Sequence, residues 1–256
     1  MLVVISLAIA FGFLTTLPVP RRVWQSAVPF GHAFTWFPLV GLVLGIIQLA
    51  AALVLPLLLP PSVVAALVFT LGVLLTGGLH LDGLMDTCDG VFCARSPEER
   101  LAIMRDSHTG AFGVLGAVCL ALVKYSALVA LLHGQRNLLL AGVLLAPILS
   151  RWAMVVATIS FPYGRSGETL GATFRQSVGP RQLAVATGYT LLLVTMLSSV
   201  TQLGFWWGIA AFGSSAGLTY VLARFALGRL PGLTGDVYGA INEVIEAMVL
   251  VAFTAL

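Results

Sequence analysis

Charge is scarce in this 256-residue chain. Only 9% of its residues are Asp, Glu, Lys or Arg, whereas 59% are hydrophobic and the mean hydropathy is +1.03. A soluble domain carries roughly a quarter of its residues as charged side chains, so this chain has too little charge to cover a water-facing surface. The absence of charge blocks also excludes a disordered tail and a nucleic-acid-binding protein. The composition therefore predicts an integral membrane protein whose surroundings are the lipid bilayer.

Cysteine is equally rare, with Cys88, Cys93 and Cys119 as the only three. Their spacing contains no Cys-x-x-Cys pair, and no histidine stands close enough in sequence to complete a zinc site. An odd number of cysteines also argues against a disulfide framework. We therefore expect three reduced thiols.

Long apolar runs are what the chain has in abundance. A transmembrane helix needs about 20 mostly apolar residues, and the runs are continuous rather than alternating, which excludes a β-barrel. The first and last runs are short, so we predict an all-α polytopic bundle of about eight transmembrane helices, with six to eight as the range. No linker divides residues 1–256, which predicts a single membrane domain. The runs cover approximately 2–17, 34–59, 62–80, 110–132, 138–160, 183–202, 206–227 and 239–256.

The basic residues support this segment count and give an orientation. If all eight segments cross, the connections alternate between two faces, and the positive-inside rule places most Lys and Arg in the cytoplasm. One face receives only Arg136, so the opposite face is predicted to be cytoplasmic. Both termini then lie on the far side, provided that the first segment crosses. The predicted cytoplasmic residues are Arg21, Arg22, Arg95, Arg100, Arg105, Arg165, Arg175, Arg181 and Arg229.

Acidic residues are concentrated in one region of about 77–110, which contains six of the ten in the chain. Asp82, Asp86 and Asp89 are spaced i, i+4, i+7 and share one face of any helix formed there. Three stacked like charges repel each other, so a compensating cation is expected. Mg²⁺ is held by carboxylates together with substrate phosphates, which makes this face a candidate metal-dependent phosphoryl-transfer site. The alternative is that these aspartates cap the next helix or pair with neighbouring arginines.

Further polar residues follow this face. Arg95 and Arg105 are candidate phosphate contacts, because guanidinium groups match phosphate oxygens, and positive-inside anchoring is the alternative for either residue. Asp106 lies next to Arg105. Glu98 and Glu99 follow a serine and a proline in a pattern typical of a helix N-terminus, so we expect them to have a local role.

A second polar constellation lies near the C-terminus. Asp236, Glu243 and Glu246 have the spacing i, i+7, i+10, and the two glutamates stand inside an apolar segment. A charge near the bilayer centre needs a partner or a wet cavity. Lys124 and Arg151, in other apolar segments, are candidate ion-pair partners. Arg151 could instead bind a substrate phosphate, and its position halfway along its segment requires an anion in either case.

Taken together, these motifs resemble the cobalamin synthase family, the adenosylcobinamide-GDP ribazoletransferases. The resemblance is carried by the acidic stretch, by Thr-Gly-Asp-Val-Tyr-Gly-Ala at 234–240, and by shorter motifs along nearly the whole chain. The shorter motifs are Leu-Thr-Thr-Leu-Pro-Val-Pro at 14–20, Phe-Pro-Leu-Val-Gly at 37–41, Ile-Met-Arg-Asp-Ser-His-Thr-Gly-Ala-Phe-Gly at 103–113 and Ala-Pro-Ile-Leu-Ser-Arg-Trp at 146–152.

The resemblance implies a Mg²⁺-dependent enzyme of a bacterial or archaeal inner membrane, with its active site facing the cytoplasm. It would join adenosylcobinamide-GDP to α-ribazole or its 5'-phosphate and release GMP. A homo-oligomer and an association with other cobalamin pathway enzymes are both open. The implied roles are Mg²⁺ binding by Asp82, Asp86 and Asp89, proton transfer or further metal binding by Asp106 with Asp89, and substrate binding by Arg95, Arg105, Arg151 and Asp236.

Three other interpretations stay open on the sequence alone. Asp86-Thr87-Cys88-Asp89-Gly90 also matches the first half of the signature of CDP-alcohol phosphotransferases, although the second half is missing. An ion-coupled transporter would also carry membrane-embedded charges, usually near the midplane of paired broken helices. A subunit that only scaffolds other enzymes would not depend on its aspartates for turnover.

The orientation can be tested with fused reporters that are active only in the cytoplasm. We expect signal from fusions after Arg95 or Arg175 and none from a fusion near Arg136, because the first two positions lie in basic loops. Opposite signals at Arg95 and Arg175 would contradict the alternation of the segments between them.

Overall fold

The computed structural model describes residues 2–165 and 177–256, and these ranges are helical apart from loops and one isolated bridge between Tyr163 and Leu233. The all-α prediction is confirmed. Arg175, one of the residues assigned to the cytoplasmic face, lies outside the described residues. The helices are α1 (Leu2–Leu14), α2 (Arg21–Trp24), α3 (Phe37–Val54), α4 (Pro61–Thr76), α5 (Leu79–Phe92), α6 (Pro97–Ile103), α7 (Ala111–His133), α8 (Arg136–Ser160), α9 (Pro180–Val200), α10 (Phe205–Leu227) and α11 (Gly235–Thr254).

Within those ranges six helical segments are long and apolar enough to cross a membrane. They are Phe30–Leu57, which contains α3, and α7 to α11; the bent pair of α4 and α5 would make seven. Both counts fall inside the predicted range of six to eight. Eight is not reached, because α1 has 13 residues and spans only about 20 Å, less than the ~30 Å hydrocarbon core. The placement of the N-terminus on the far side loses its support, since it required this segment to cross.

A sharp bend separates α4 from α5. Gly77 and Gly78 have φ values of +61° and +73°, a left-handed conformation that glycine adopts without steric cost. Helix α5 consequently leaves at 90° to α4. The acidic stretch therefore forms a helix of its own, which is not in line with the third apolar segment.

The core is organised around α8, most of whose residues are buried. It packs closely on α3 because Gly41 has no side chain: a Cβ there would lie 2.2 Å from the Pro147 carbonyl oxygen. Pro147 stands inside α8 and has no N–H to donate, which leaves the carbonyl of Val143 without its usual helical partner. A Cβ at Gly45 would lie 3.1 Å from that carbonyl. The Phe-Pro-Leu-Val-Gly and Ala-Pro-Ile motifs thus meet at one helix crossing.

Replacing Gly41 with alanine should separate α3 from α8. The added Cβ meets backbone atoms, which cannot rotate away, and overpacking of this kind typically costs about 1–3 kcal/mol. We expect Gly41→Ala to lower the temperature at which the detergent-solubilised protein aggregates.

The matched control is Gly213→Ala in α10, where an added Cβ meets nothing within 4 Å. This variant should be as stable as the wild type or slightly more stable, because alanine favours a helix. Equal behaviour of the two variants would contradict the close approach of α3 and α8.

Candidate functional site

The three clustered aspartates lie on one helix, as their spacing predicted. Asp82, Asp86 and Asp89 belong to α5, and their burial increases along it: Asp82 is exposed, Asp86 is half-buried and Asp89 is buried. The environment of the carboxylate therefore differs at each of the three positions. Asp82 and Asp86 face the accessible end of the site.

Asp89 caps the next transmembrane helix. Its two carboxylate oxygens accept hydrogen bonds from the backbone amides of Gly110 and Gly113, each at 2.8 Å, at the N-terminus of α7. A Cβ at Gly113 would lie 2.5 Å from one of these oxygens, so the contact depends on glycine. The structure thus shows the capping alternative for Asp89. The metal and catalytic roles suggested for it stay predictions, because a carboxylate oxygen that accepts one hydrogen bond keeps a second lone pair.

Asp236, in the first turn of α11, accepts a hydrogen bond from Arg165 Nη2 at 2.6 Å and another from Thr234 Oγ1 at 3.2 Å. Backbone hydrogen bonds hold the loop that carries Arg165 next to the loop that precedes Asp236. Gly164 N donates to Leu233 O, and Leu233 N donates to Pro162 O, both at 2.8 Å. Sequence reasoning gave Arg165 only a positive-inside role, and no local motif marks it, because its partner is 71 residues away.

Glycine contacts bring α5 and α11 together. A Cβ at Gly83 would lie 2.8 Å from Asp236 O, and a Cβ at Gly239 would lie 3.1 Å from His80 O. As a result Asp86 is within electrostatic range of Asp82, Asp236 and Arg165. The acidic stretch of α5 and Asp236 of the second constellation therefore form one site at one end of the bundle.

The arginines between α5 and α7 have different surroundings. Arg95 and Arg105 are exposed, in the segment that connects α5 to α7. Arg100, between them, donates to the carbonyls of Gly90 and Val91 and so caps the C-terminus of α5. Phosphate binding by Arg95 and Arg105 stays a prediction, whereas Arg100 has a structural task.

Asp106 is engaged within its own loop. Its Oδ1 lies 2.7 Å from His108 Nδ1 and accepts the backbone N–H of His108 at 3.0 Å. These hydrogen bonds lower the pKa of Asp106, which makes its carboxylate a weaker proton acceptor. No contact between Asp106 and the α5 carboxylates is found among the described residues, so its role as a general base stays a prediction without geometric support.

Arg151 is buried and forms an ion pair through Nη1 with Glu246 Oε2. Lys124 Nζ lies 2.7 Å from Glu243 Oε2 and 3.2 Å from Glu246 Oε1. The structure therefore favours the ion-pair alternative for Arg151 over direct substrate binding. The four side chains, which we call the buried charge network, carry no net charge.

The donor atoms available at the site suit a hard divalent cation that is shared with a substrate. Within residues 2–165 and 177–256 no group of three or more His, Cys, Asp or Glu side chains is arranged to hold a metal. Mg²⁺, however, is usually held by one or two carboxylates plus substrate phosphates, and Asp82 and Asp86 offer such a pair. An open cleft of about 540 Å³, lined in part by Phe13, Gly78 and Met85, gives access to Asp82.

Fold and site together define a class: a polytopic helical membrane protein with carboxylates and an arginine gathered at one end of its bundle. Comparison with known proteins identifies the member of that class. The sequence profile described as cobalamin-5-phosphate synthase matches residues 6–254, and the chain belongs to this family. The resemblance inferred from its motifs is confirmed.

Curated relatives are similar over nearly the whole chain. A protein of Desulfitobacterium hafniense (strain Y51) is 43% identical over 249 residues, covering 96% of this chain and 94% of the relative. One of Syntrophobacter fumaroxidans is 37% identical over 245 residues, covering 95% of each, and one of Roseiflexus sp. is 39% identical, covering 96% and 87%. All three are named adenosylcobinamide-GDP ribazoletransferase. No solved structure matches the chain.

The different burial of Asp82 and Asp89 leads to a stability prediction. Asp89→Ala removes the acceptor of two amide hydrogen bonds, one buried and one part-buried, and an unsatisfied buried donor costs about 1–3 kcal/mol. We expect this variant to lose thermal stability clearly, whereas Asp82→Ala, at an exposed position, should not. Equal stability of the two variants in detergent would contradict the capping role of Asp89.

Proposed function

We propose that the protein is an adenosylcobinamide-GDP ribazoletransferase. It transfers the adenosylcobinamide phosphate group from adenosylcobinamide-GDP to α-ribazole or α-ribazole 5'-phosphate, giving adenosylcobalamin or its 5'-phosphate, and releases GMP. Family membership and the names of the relatives support the reaction. The observation that carries the proposal is the meeting of Asp82 and Asp86 with the Asp236–Arg165 pair at one accessible end of the bundle.

The reaction needs alignment and charge neutralisation more than covalent chemistry by the protein. A ribose hydroxyl of the acceptor forms a bond to the phosphorus attached to the corrinoid, and the bond from that phosphorus to the oxygen of the GMP phosphate breaks. The hydroxyl proton passes to a carboxylate of the site. GMP leaves with the electron pair of the broken bond.

The residues of the site divide this work. Asp82 and Asp86 would hold Mg²⁺, which when bound supplies positive charge to the pyrophosphate oxygens. Arg165 fixes Asp236 beside these two carboxylates, through the 2.6 Å hydrogen bond. Arg95 and Arg105, exposed in the adjoining loop, are placed to attract the anionic donor. Asp89 acts indirectly, by joining α5 to α7.

The site is proposed to face the cytoplasm of a bacterial or archaeal inner membrane. Arg95, Arg105 and Arg165 belong to the loops at the carboxylate end, and the positive-inside rule assigns such loops to the cytoplasm. If the bent pair α4–α5 counts as one crossing, these loops stay on one face even though α1 is too short to cross. The nucleotide-linked substrates would then reach the site from the cytoplasm.

The transporter alternative loses its main support. It rested on membrane-embedded charges as elements of an ion path. Lys124, Arg151, Glu243 and Glu246 instead satisfy one another. Asp82 and Asp86, the more accessible carboxylates of the site, lie on α5, which leaves α4 at 90° at one end of the bundle.

Purified protein supplied with adenosylcobinamide-GDP and α-ribazole should release GMP, and chelation of Mg²⁺ should stop the release. Asp82→Asn and Asp86→Asn should each lower kcat at least ~100-fold, because each removes an anionic ligand of the metal. The matched control is Glu98→Gln, an exposed carboxylate in α6, which should keep nearly full activity.

Two outcomes would count against the proposal. If GMP release persisted without divalent cations, the reaction would not require a metal. Losses as large in Glu98→Gln as in Asp82→Asn would show that the acidic surface acts as a whole, rather than through the face of α5.

A further inference from the structure

The buried charge network joins three transmembrane helices. Lys124 is on α7 and Arg151 is on α8, whereas Glu243 and Glu246 are both on α11. All four residues are at most 9% exposed. Glu246 is shared: one of its oxygens accepts from Lys124 at 3.2 Å and the other pairs with Arg151. Two cations from separate helices therefore hold α11 at two successive turns.

The same helix carries a residue of the candidate site. Glu243 and Glu246 follow Asp236 by seven and ten residues, which corresponds to about 10 and 15 Å along a helix. A helix between these points acts as a rigid rod, so a shift or rotation at the glutamates moves Asp236 as well. A displacement of the network would therefore be transmitted to Asp236 along α11.

The network also acts on α5. The buried imidazole of His80 is within electrostatic range of Arg151, Glu246 and Lys124. His80 precedes Asp82 by two residues, and its backbone packs against Gly239 of α11. A cavity of about 30 Å³, large enough for about two water molecules, borders the network and reaches Thr76 at the bend between α4 and α5. The network therefore adjoins both α5, which carries Asp82 and Asp86, and α11, which carries Asp236.

We propose that Lys124, Arg151, Glu243 and Glu246 form a positioning network for the candidate site. By fixing the register of α11 against α5, the network sets the separation of Asp236 from Asp82 and Asp86. This proposal rests on the proposed function only where it concerns turnover. The register of α11 against α5 can be measured without any enzymatic activity.

The register can be read by cross-linking. Cysteines introduced by Asp82→Cys and Asp236→Cys are joined with a short bismaleimide, and the protein without them measures the background from Cys88, Cys93 and Cys119. The same pair is then placed in a Lys124→Met/Glu243→Leu background, which leaves the neutral Arg151–Glu246 pair. We expect most of the cross-linked product to be lost. The control Thr219→Val, at a buried residue of α10 whose hydroxyl bonds only within its own helix, should leave it unchanged.

Kinetic measurements distinguish a positioning role of the network from a role in stability. They use variants of the network that keep Asp82, Asp86 and Asp236. Replacing a buried ion pair by apolar residues of similar volume often preserves stability, so Lys124→Met/Glu243→Leu should accumulate and resist heat like the wild type. Its kcat should nevertheless fall about 10-fold or more, with KM for α-ribazole little changed, because misplaced groups cost rate rather than acceptor binding. Arg151→Lys keeps the charge and should retain most activity.

Unchanged cross-linking, or wild-type kcat in the stable double variant, would overturn the positioning role. If the double variant does not accumulate, Glu243→Gln undergoes the same two measurements and the same criteria apply. A wild-type protein that releases no GMP would refute the proposed function, while the cross-linking result would still decide this inference.

Discussion

The structure depends on the neutralisation of four charges inside a membrane-spanning bundle. A single charged side chain near the bilayer centre costs about 2.5–3.5 kcal/mol on insertion scales, and breaking a buried pair costs about 3–5 kcal/mol. Lys124, the chain's only lysine, therefore has to stay with Glu243 and Glu246. Apolar packing alone would let these helices slide or rotate against each other, because lipid tails are as apolar as the side chains. The ion pairs give α7, α8 and α11 a single register.

Once the register of α11 is fixed, contacts made by glycines determine which residues of α5 lie next to its N-terminal end. Gly83 and Gly239 allow the backbones of α5 and α11 to approach, and the left-handed pair Gly77–Gly78 turns α5 out of line with α4. Asp82 and Asp86 then come close to Asp236, about 150 positions later in the sequence. The site thus depends on the close approach of two backbones and on one bend. The acidic motif alone would not bring Asp82 and Asp86 close to Asp236.

The sequence predicts those features that depend on a periodic residue pattern or on the free-energy cost of burying a charge. The apolar runs, the shared face of Asp82 and Asp86 on one helix, and an ion partner for Glu246 all follow from helical geometry and the cost of burying charge. Local spacing does not encode contacts made by the backbone. The capping of α7 by Asp89 depends on two amides more than 20 positions away, and the Arg165–Asp236 pair depends on an isolated bridge between loops. The first apolar run, 2–17, was counted as a crossing, but its helix ends at Leu14. Hydropathy does not indicate where a helix ends.

The gradient of burial along α5 explains how one type of side chain serves two purposes. At the inner end Asp89 meets two amides at the positive end of α7, where a carboxylate is stabilised without any cation. At the outer end the charges that act on Asp86 include those of Asp82, Asp236 and the already paired Arg165. Arg165 offsets part of the repulsion among these carboxylates, and an incoming pyrophosphate would add negative charge. In the proposed reaction a divalent cation offsets both sets of negative charge at once, so metal and substrate should bind together rather than in a preformed cage of protein ligands.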